Sequence, residues 1–145
     1  MNNLTELYIK IKDFATSHNM VNEFFLARDE NDLRNREFDY RTLSIMPLEA
    51  NISRDLNSPV YTLDFAVVIL DKVIYENEIN NIAIIEENLF IVGQLQDYLI
   101  QNNYDVNFEN VDVMSMKEGD YTVSSAVCDF QVVLARKPYQ LDIDN

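Results

Sequence analysis

The chain has 145 residues, of which 48% are hydrophobic, and it carries a formal net charge of −14 at pH 7. The length predicts one domain, and the hydrophobic fraction is that of a folded globule rather than of a disordered tail. The excess of acids excludes nucleic-acid binding by phosphate neutralisation, because that mode needs clustered Lys and Arg side chains.

The first predicted element is a helix over residues 4–17. Asn3 and Glu6 have the spacing of a capping box, in which each side chain bonds the backbone N–H of the other residue. Apolar residues then recur at helical spacing, and the helix is expected to end near His18. His18 is the only histidine in the chain. We interpret it as a capping or turn residue rather than as a catalytic base.

Three strands are predicted before the second helix. Residues 20–28 are short and aromatic, as strands often are, and a charged loop over 29–39 follows them. In the next strand, over 40–53, Pro47 predicts an edge position or a bulge. Residues 60–75 give the strongest strand pattern, because apolar residues first alternate and then become continuous, as in a strand covered on both faces.

A longer helix is predicted over residues 79–101, and two strands are predicted after it, over 104–116 and 121–135. Gly119 lies between these two strands, in a turn that is expected to need a positive φ. From about residue 136 we expect a short polar tail.

The order of these elements, α-β-β-β-α-β-β, predicts the fold class. It is typical of an α+β domain with one mostly antiparallel β-sheet and two helices packed on one face. The sequence contains no repeat and no linker, so residues 1–145 are expected to form a single α+β domain.

Few residue patterns in the chain point to chemistry. The single cysteine, Cys128, lies on the apolar face of the last strand and is expected to be buried. One Cys and one His cannot form a zinc site, and two glycines cannot supply a Gly-rich phosphate loop. Residues 29–34 begin like a calcium loop, but Leu33 and Arg34 occupy the positions of a ligand and of the glycine. We therefore predict no catalytic residue, cofactor or metal.

The sequence also predicts no membrane association. No apolar run reaches the roughly 18 residues of a membrane span, and the N-terminal residues lack the pattern of a secretory signal. A single cysteine excludes an internal disulfide and fits a reducing compartment.

The second helix carries more apolar surface than a sheet can cover. At roughly 100° per residue, its apolar residues span an arc of about 200°, whereas a helix on a sheet buries a stripe of little more than about 100°. On this projection one set is expected to face the sheet: Ile82, Ile85, Leu89, Val92, Leu99 and Ile100.

The remaining apolar residues of this helix form a candidate subunit interface, unless the first helix covers them. They are Ile84, Phe90, Ile91, Leu95 and Tyr98.

The polar side of the same helix is a candidate acidic face, formed by Glu86, Glu87 and Asp97. No Lys, Arg or His occurs in residues 73–116, whereas six of the 11 basic residues occur in residues 10–41. An acidic face of this kind either lines a channel, meets a basic neighbour or simply faces solvent. The sequence leaves these alternatives open.

Four stretches, in this order, resemble a known family: SHNMVNEFF, LDFAVVILDKVIYENE, EENLFIVGQLQDYLIQ and YDVNFENVDVMSMKEGDYTVSSAVCDFQVVLARKPY. The resemblance extends over nearly the whole chain and is one of pattern. It is to the tail terminator and head–tail joining (neck ring) structural proteins of tailed bacteriophages, most closely to those of crAss-like phages.

The resemblance implies a non-enzymatic virion protein, assembled in the cytoplasm of the bacterial host. It implies a homo-oligomeric ring of six or twelve copies that joins adjacent head–tail or tail virion proteins. DNA would pass through the channel without being specifically bound. Such a ring uses a heterologous contact, in which one face of each subunit meets a different face of the next. A soluble dimeric adaptor or regulatory protein is the alternative, followed by a carboxylate-based hydrolase.

Overall fold

The fold is that of a computed structural model, which describes residues 3–29, 32, 40–53, 57, 59–73, 78–118 and 121–135. These residues form two long helices and five strands in the predicted order, which confirms the α+β class. The elements are α1 (Leu4–Ser17), β1 (Glu23–Leu26), β2 (Thr42–Ile52), β3 (Val60–Val73), α2 (Glu78–Gln101), β4 (Asp105–Glu118) and β5 (Tyr121–Ala135). The predicted turn at Gly119, the predicted tail from residue 136 and most of the predicted loop over 29–39 lie outside the described residues.

The five described strands form one sheet in the order β1-β2-β3-β5-β4. Every neighbouring pair is antiparallel except β1 with β2, which is parallel. A parallel pair needs a long connection, and 15 residues separate β1 from β2. The predicted bulge at Pro47 is confirmed, because the register of β2 against β3 shifts between Pro47 and Glu49.

Both helices pack on one face of this sheet, and the main core lies between them and the two central strands. Alternate residues of β3 and β5 point to this face because side chains in a strand alternate. Phe65 of β3 and Phe130 of β5 are paired in register, with ring centroids 5.4 Å apart. The helices contribute Leu7, Ile11, Phe14, Ala15, Ile91, Val92, Leu95 and Leu99.

The opposite face of the sheet is also covered near one end of β3. Val68, Leu70 and Val123 are buried there, and Tyr40 and Val127 pack against them. The expectation that the second half of β3 is covered on both sides is therefore confirmed.

The ends of the helices follow from local hydrogen bonds. The side chain of Asn3 accepts a 2.9 Å bond from the backbone N–H of Glu6, which is the expected N-cap. His18 caps the other end of α1, where its backbone N–H donates to the carbonyl of Phe14. Helix α2 is followed by Asn103 in the left-handed conformation, with φ 67°, which Asn tolerates better than most residues.

Arg41, the residue before β2, links β3 to α2 through a cluster of ion pairs and hydrogen bonds. Its side chain is only 6% exposed, and its Nε donates to the Asn88 side-chain oxygen at 2.8 Å. Its guanidinium also pairs with Glu87 at 2.5 Å and with Asp71 at 2.9 Å. Because Asp71 belongs to β3 whereas Glu87 and Asn88 belong to α2, the cluster fixes the first half of α2 against the sheet.

We predict that Arg41→Met lowers the free energy of unfolding by about 2 kcal/mol, because the buried Asn88 loses a hydrogen-bond partner and the partly exposed acids Asp71 and Glu87 lose their ion pairs. Chemical denaturation monitored by circular dichroism would measure the change. Arg28→Met is the matched control, because Arg28 pairs with Asp32 but its side chain is 87% exposed. That variant should unfold at nearly the wild-type denaturant concentration, and an equal effect of both substitutions would contradict the prediction.

Candidate functional site

Helix α2 has two opposite sides that are both apolar. The inward side is buried against the sheet and α1, and its buried residues are Asn88, Ile91, Val92, Leu95 and Leu99. The outward side carries large apolar residues that are 38–81% exposed. We call this set the outward face of α2: Ile79, Ile82, Leu89, Phe90 and Ile100.

The structure corrects most of the predicted subunit interface on α2. Ile91 and Leu95 are 1% and 0% exposed, so they belong to the core of their own chain. Ile84 and Tyr98 are half-buried, and the Tyr98 ring lies 5.5 Å from that of Phe14 in α1. Of the five predicted residues, only Phe90 lies on the outward face, where it is 58% exposed.

Helix α2 is rotated about its own axis relative to the predicted orientation. Ile82, Leu89 and Ile100 were expected against the sheet, but they are exposed, and the polar residue Asn88 is buried in their place. Asn88 is held inward by its hydrogen bond to Arg41. A sequence projection ranks residues by hydropathy and therefore places an amide outside.

The predicted acidic face divides into two parts. Glu87 pairs with the buried Arg41, so it is not a free acid. Glu86 and Asp97 are exposed and lie on the outward side of α2, between its apolar residues. Within the described part of the chain, neither of these two carboxylates forms an ion pair or a side-chain hydrogen bond.

Gly93 lies on the outward side of α2 as well. A Cβ added at this position would meet no atom within 4 Å. A glycine inside a helix lowers helix stability by about 1 kcal/mol relative to alanine, so Gly93 does not stabilise α2. The described residues contain no neighbour that requires it, and its effect is to leave the helix backbone accessible from outside.

A second surface lies at the other helix. An apolar pocket of about 250 Å³ opens between the first half of α1 and the strands beneath it. We call it the α1 pocket, and its lining residues are Leu4, Thr5, Tyr8, Leu26, Ile45, Pro47 and Phe65. Sequence reasoning missed this pocket because four separate elements contribute to it. The sequence contains one weak signal for the pocket, which is a leucine at each of positions 4 and 26. In the structure Leu4 and Leu26 are 39% and 43% exposed.

The hydrogen bonds of His18 hold local structure. His18 Nδ1 accepts a 3.1 Å bond from the Met20 N–H, and its Nε2 lies 2.6 Å from the Gln94 side-chain oxygen. Nδ1 therefore serves the turn after α1, as predicted, and Nε2 links this turn to α2. In the described ranges, no group of three or more His, Cys, Asp or Glu side chains has the arrangement of a metal site.

Cys128 is fully buried, as predicted, and its Sγ lies 3.3 Å from the carbonyl oxygen of Glu109. Burial raises the pKa of the Cys128 thiol, because the charged thiolate is poorly solvated there. The neighbouring acids Asp129, Glu109 and Asp112 act in the same direction. The thiol is thus a small core residue rather than an activated nucleophile.

Neither α1 nor α2, the long helices among the described residues, combines the length and hydropathy needed to cross a membrane. Comparison of the chain with protein-family models and with curated proteins found no match.

We predict that Leu95→Asp abolishes the fold, because it places an unpaired carboxylate in the core at a cost of several kcal/mol. Phe90→Asp, five residues earlier in the same helix, should change the free energy of unfolding by less than about 1 kcal/mol. Circular dichroism and thermal unfolding of the two variants would measure the difference. A folded Leu95→Asp variant would restore Leu95 to the candidate interface.

We predict that Cys128 makes the fold less stable at alkaline pH. Because the thiol pKa is raised in the folded state, the unfolded state loses its proton first as pH rises above the ordinary value of about 8.5. The contribution is fully present below that pH and is lost above it. Denaturation curves of wild type and Cys128→Ala, at neutral and at alkaline pH, would isolate it. The wild type should lose more stability than the variant, and an equal loss in both would contradict the prediction.

Proposed function

We propose that this chain is a non-enzymatic virion structural protein that forms a ring at the head–tail junction or tail of a tailed phage. In this role it joins neighbouring virion proteins around the channel for DNA. The proposal combines the sequence resemblance with one observation on the molecule. That observation is the outward face of α2, which exposes five large apolar residues on the side opposite the buried stripe.

The outward face of α2 supports an assembly role because of its size and position. Five large exposed apolar side chains on one side of a single helix are many for a soluble monomer, and exposed apolar surface of this kind often marks a contact. Ile82 and Phe90 alone are 62% and 58% exposed. Burying side chains of this kind is worth about 1.5–3 kcal/mol each before the entropy cost of association.

The net charge of the chain is compatible with a position beside DNA that passes through a channel without being bound. A net charge of −14 repels phosphate, so a channel built from this protein would not retain DNA. The free acids Glu86 and Asp97 either face that channel or meet a basic neighbour in the ring.

We predict that the purified protein forms a closed ring. Six copies of the 16.9 kDa chain weigh about 101 kDa, and twelve weigh about 203 kDa. Light scattering after size exclusion would measure the mass, and electron microscopy would look for a central hole. A stable dimer would favour the adaptor alternative, and a protein that is monomeric at every concentration would contradict self-assembly into a ring.

A second measurement concerns the place of the ring in a virion. Portal and tail-tube genes beside the gene for this chain would support the head–tail location. The same oligomer encoded far from any virion gene would contradict the location while leaving the assembly in place.

A further inference from the structure

The α1 pocket has the size and character of a site for one aromatic side chain. Its lining is almost entirely apolar, and its volume is about 250 Å³. An enclosed apolar cavity of about 150 Å³ is sufficient to bind benzene. A phenyl ring therefore fits the pocket, and the exposed rim residues Leu4 and Leu26 would cover its edges.

The outward face of α2 supplies such a side chain. Phe90 is the large aromatic residue on this face, at 58% exposure, and it lies three residues from Gly93. No lining residue of the α1 pocket belongs to α2. Phe90 and the pocket are thus separate surfaces of the molecule, and the pocket of one copy is available to the Phe90 of another.

The charges beside the two surfaces are complementary. Lys12 is exposed and lies one helical turn after Tyr8, a lining residue of the pocket. Glu86 is exposed and lies one helical turn before Phe90. In the described residues Lys12 has no ion pair or side-chain hydrogen bond, and the same holds for Glu86. A copy that inserts Phe90 into the pocket would bring these opposite charges to the same side of the contact.

We propose that Phe90 of one subunit inserts into the α1 pocket of the next copy of the same chain, with Glu86 of the first subunit beside Lys12 of the second. This inference rests on the proposed ring and identifies its contact. The two surfaces differ, so the contact is heterologous, which is the kind of contact that builds a ring when its rotation closes. The open backbone at Gly93 lets α1 of the neighbour approach α2 closely.

The test uses two variants that each remove one surface. Phe90→Asp removes the inserted side chain. Thr5→Glu places a carboxylate at the pocket, in the first turn of α1, where an acid favours the helix. Each variant alone should be a folded monomer by circular dichroism and light scattering.

Mixing the two variants provides the decisive measurement. The Phe90→Asp chain keeps an intact pocket, and the Thr5→Glu chain keeps an intact Phe90, so one good contact forms between them. The mixture should contain a dimer of about 34 kDa that cannot grow into a ring. A mixture that stays monomeric would overturn the pairing of these two surfaces. A Thr5→Glu protein that still forms wild-type rings would exclude the pocket while leaving the proposed function in place.

Two controls separate this contact from others. Leu48 is 49% exposed and lines a different pocket, with Asp64 and Asp129, so Leu48→Asp should assemble like wild type. Charge reversal tests the ion pair: Glu86→Lys and Lys12→Glu should each weaken association several-fold, and the double variant should recover it. If the double variant does not recover association, the proposed Glu86–Lys12 ion pair is wrong. A wild-type chain that never assembles would instead contradict the proposed function itself.

Discussion

The pairing of β3 with β5 is the interaction on which the rest of the structure depends. It runs antiparallel from Val60 opposite Ala135 to Val73 opposite Thr122. Because side chains alternate in a strand, this register decides which residues of both strands reach the helix face. Phe65 and Phe130 meet on that face, and Phe108 of the edge strand β4 stacks on Phe130 with centroids 4.7 Å apart. The apolar surface that receives α1 and α2 is therefore a property of this pair.

The orientation of α2 on that surface depends on a second constraint, which is the burial of Arg41. A guanidinium that is 6% exposed needs partners close by, and among the described residues the sheet supplies Asp71. The other partners are Glu87 and Asn88, so the first half of α2 must turn these residues inward. As a result Phe90 and Glu86 point outward. The partners of a buried arginine thus determine which residues the helix exposes.

Much of the fold could be predicted from the sequence because its signals are local. The cap at Asn3, the turn at His18 and the bulge at Pro47 each depend on neighbouring residues, and the strands follow from alternation. The parallel pairing of β1 with β2 could not be predicted, because no local sequence pattern specifies which strands pair or in which register. The α+β class followed from the order of the elements alone.

The candidate site could be predicted only in part, and the reason is physical. Helix α2 is apolar on nearly all sides, so hydropathy does not determine its rotation, and the long-range bond from Arg41 to Asn88 does. The helix does have two apolar surfaces, as predicted, and Phe90 is exposed on the outer one, where its role in an interface stays a prediction. The prediction was wrong for Ile91 and Leu95, which are core residues. The α1 pocket could not be predicted because it exists only after α1 and three strands have come together.

Net charge sets the last condition on how this chain can associate. Copies that each carry a charge of −14 repel one another, so long-range electrostatics cannot drive them together. Association must then come from burial of apolar surface over short distances, and it must place the few free cations where they reduce the repulsion. The outward face of α2 provides the apolar surface, and Lys12 beside the α1 pocket provides such a cation. An isologous contact between two copies of α2 would instead bring Glu86 and Asp97 of one copy towards the same acids of the other. The acidity of the chain therefore favours a contact between two different surfaces, which is the kind of contact from which a ring is built.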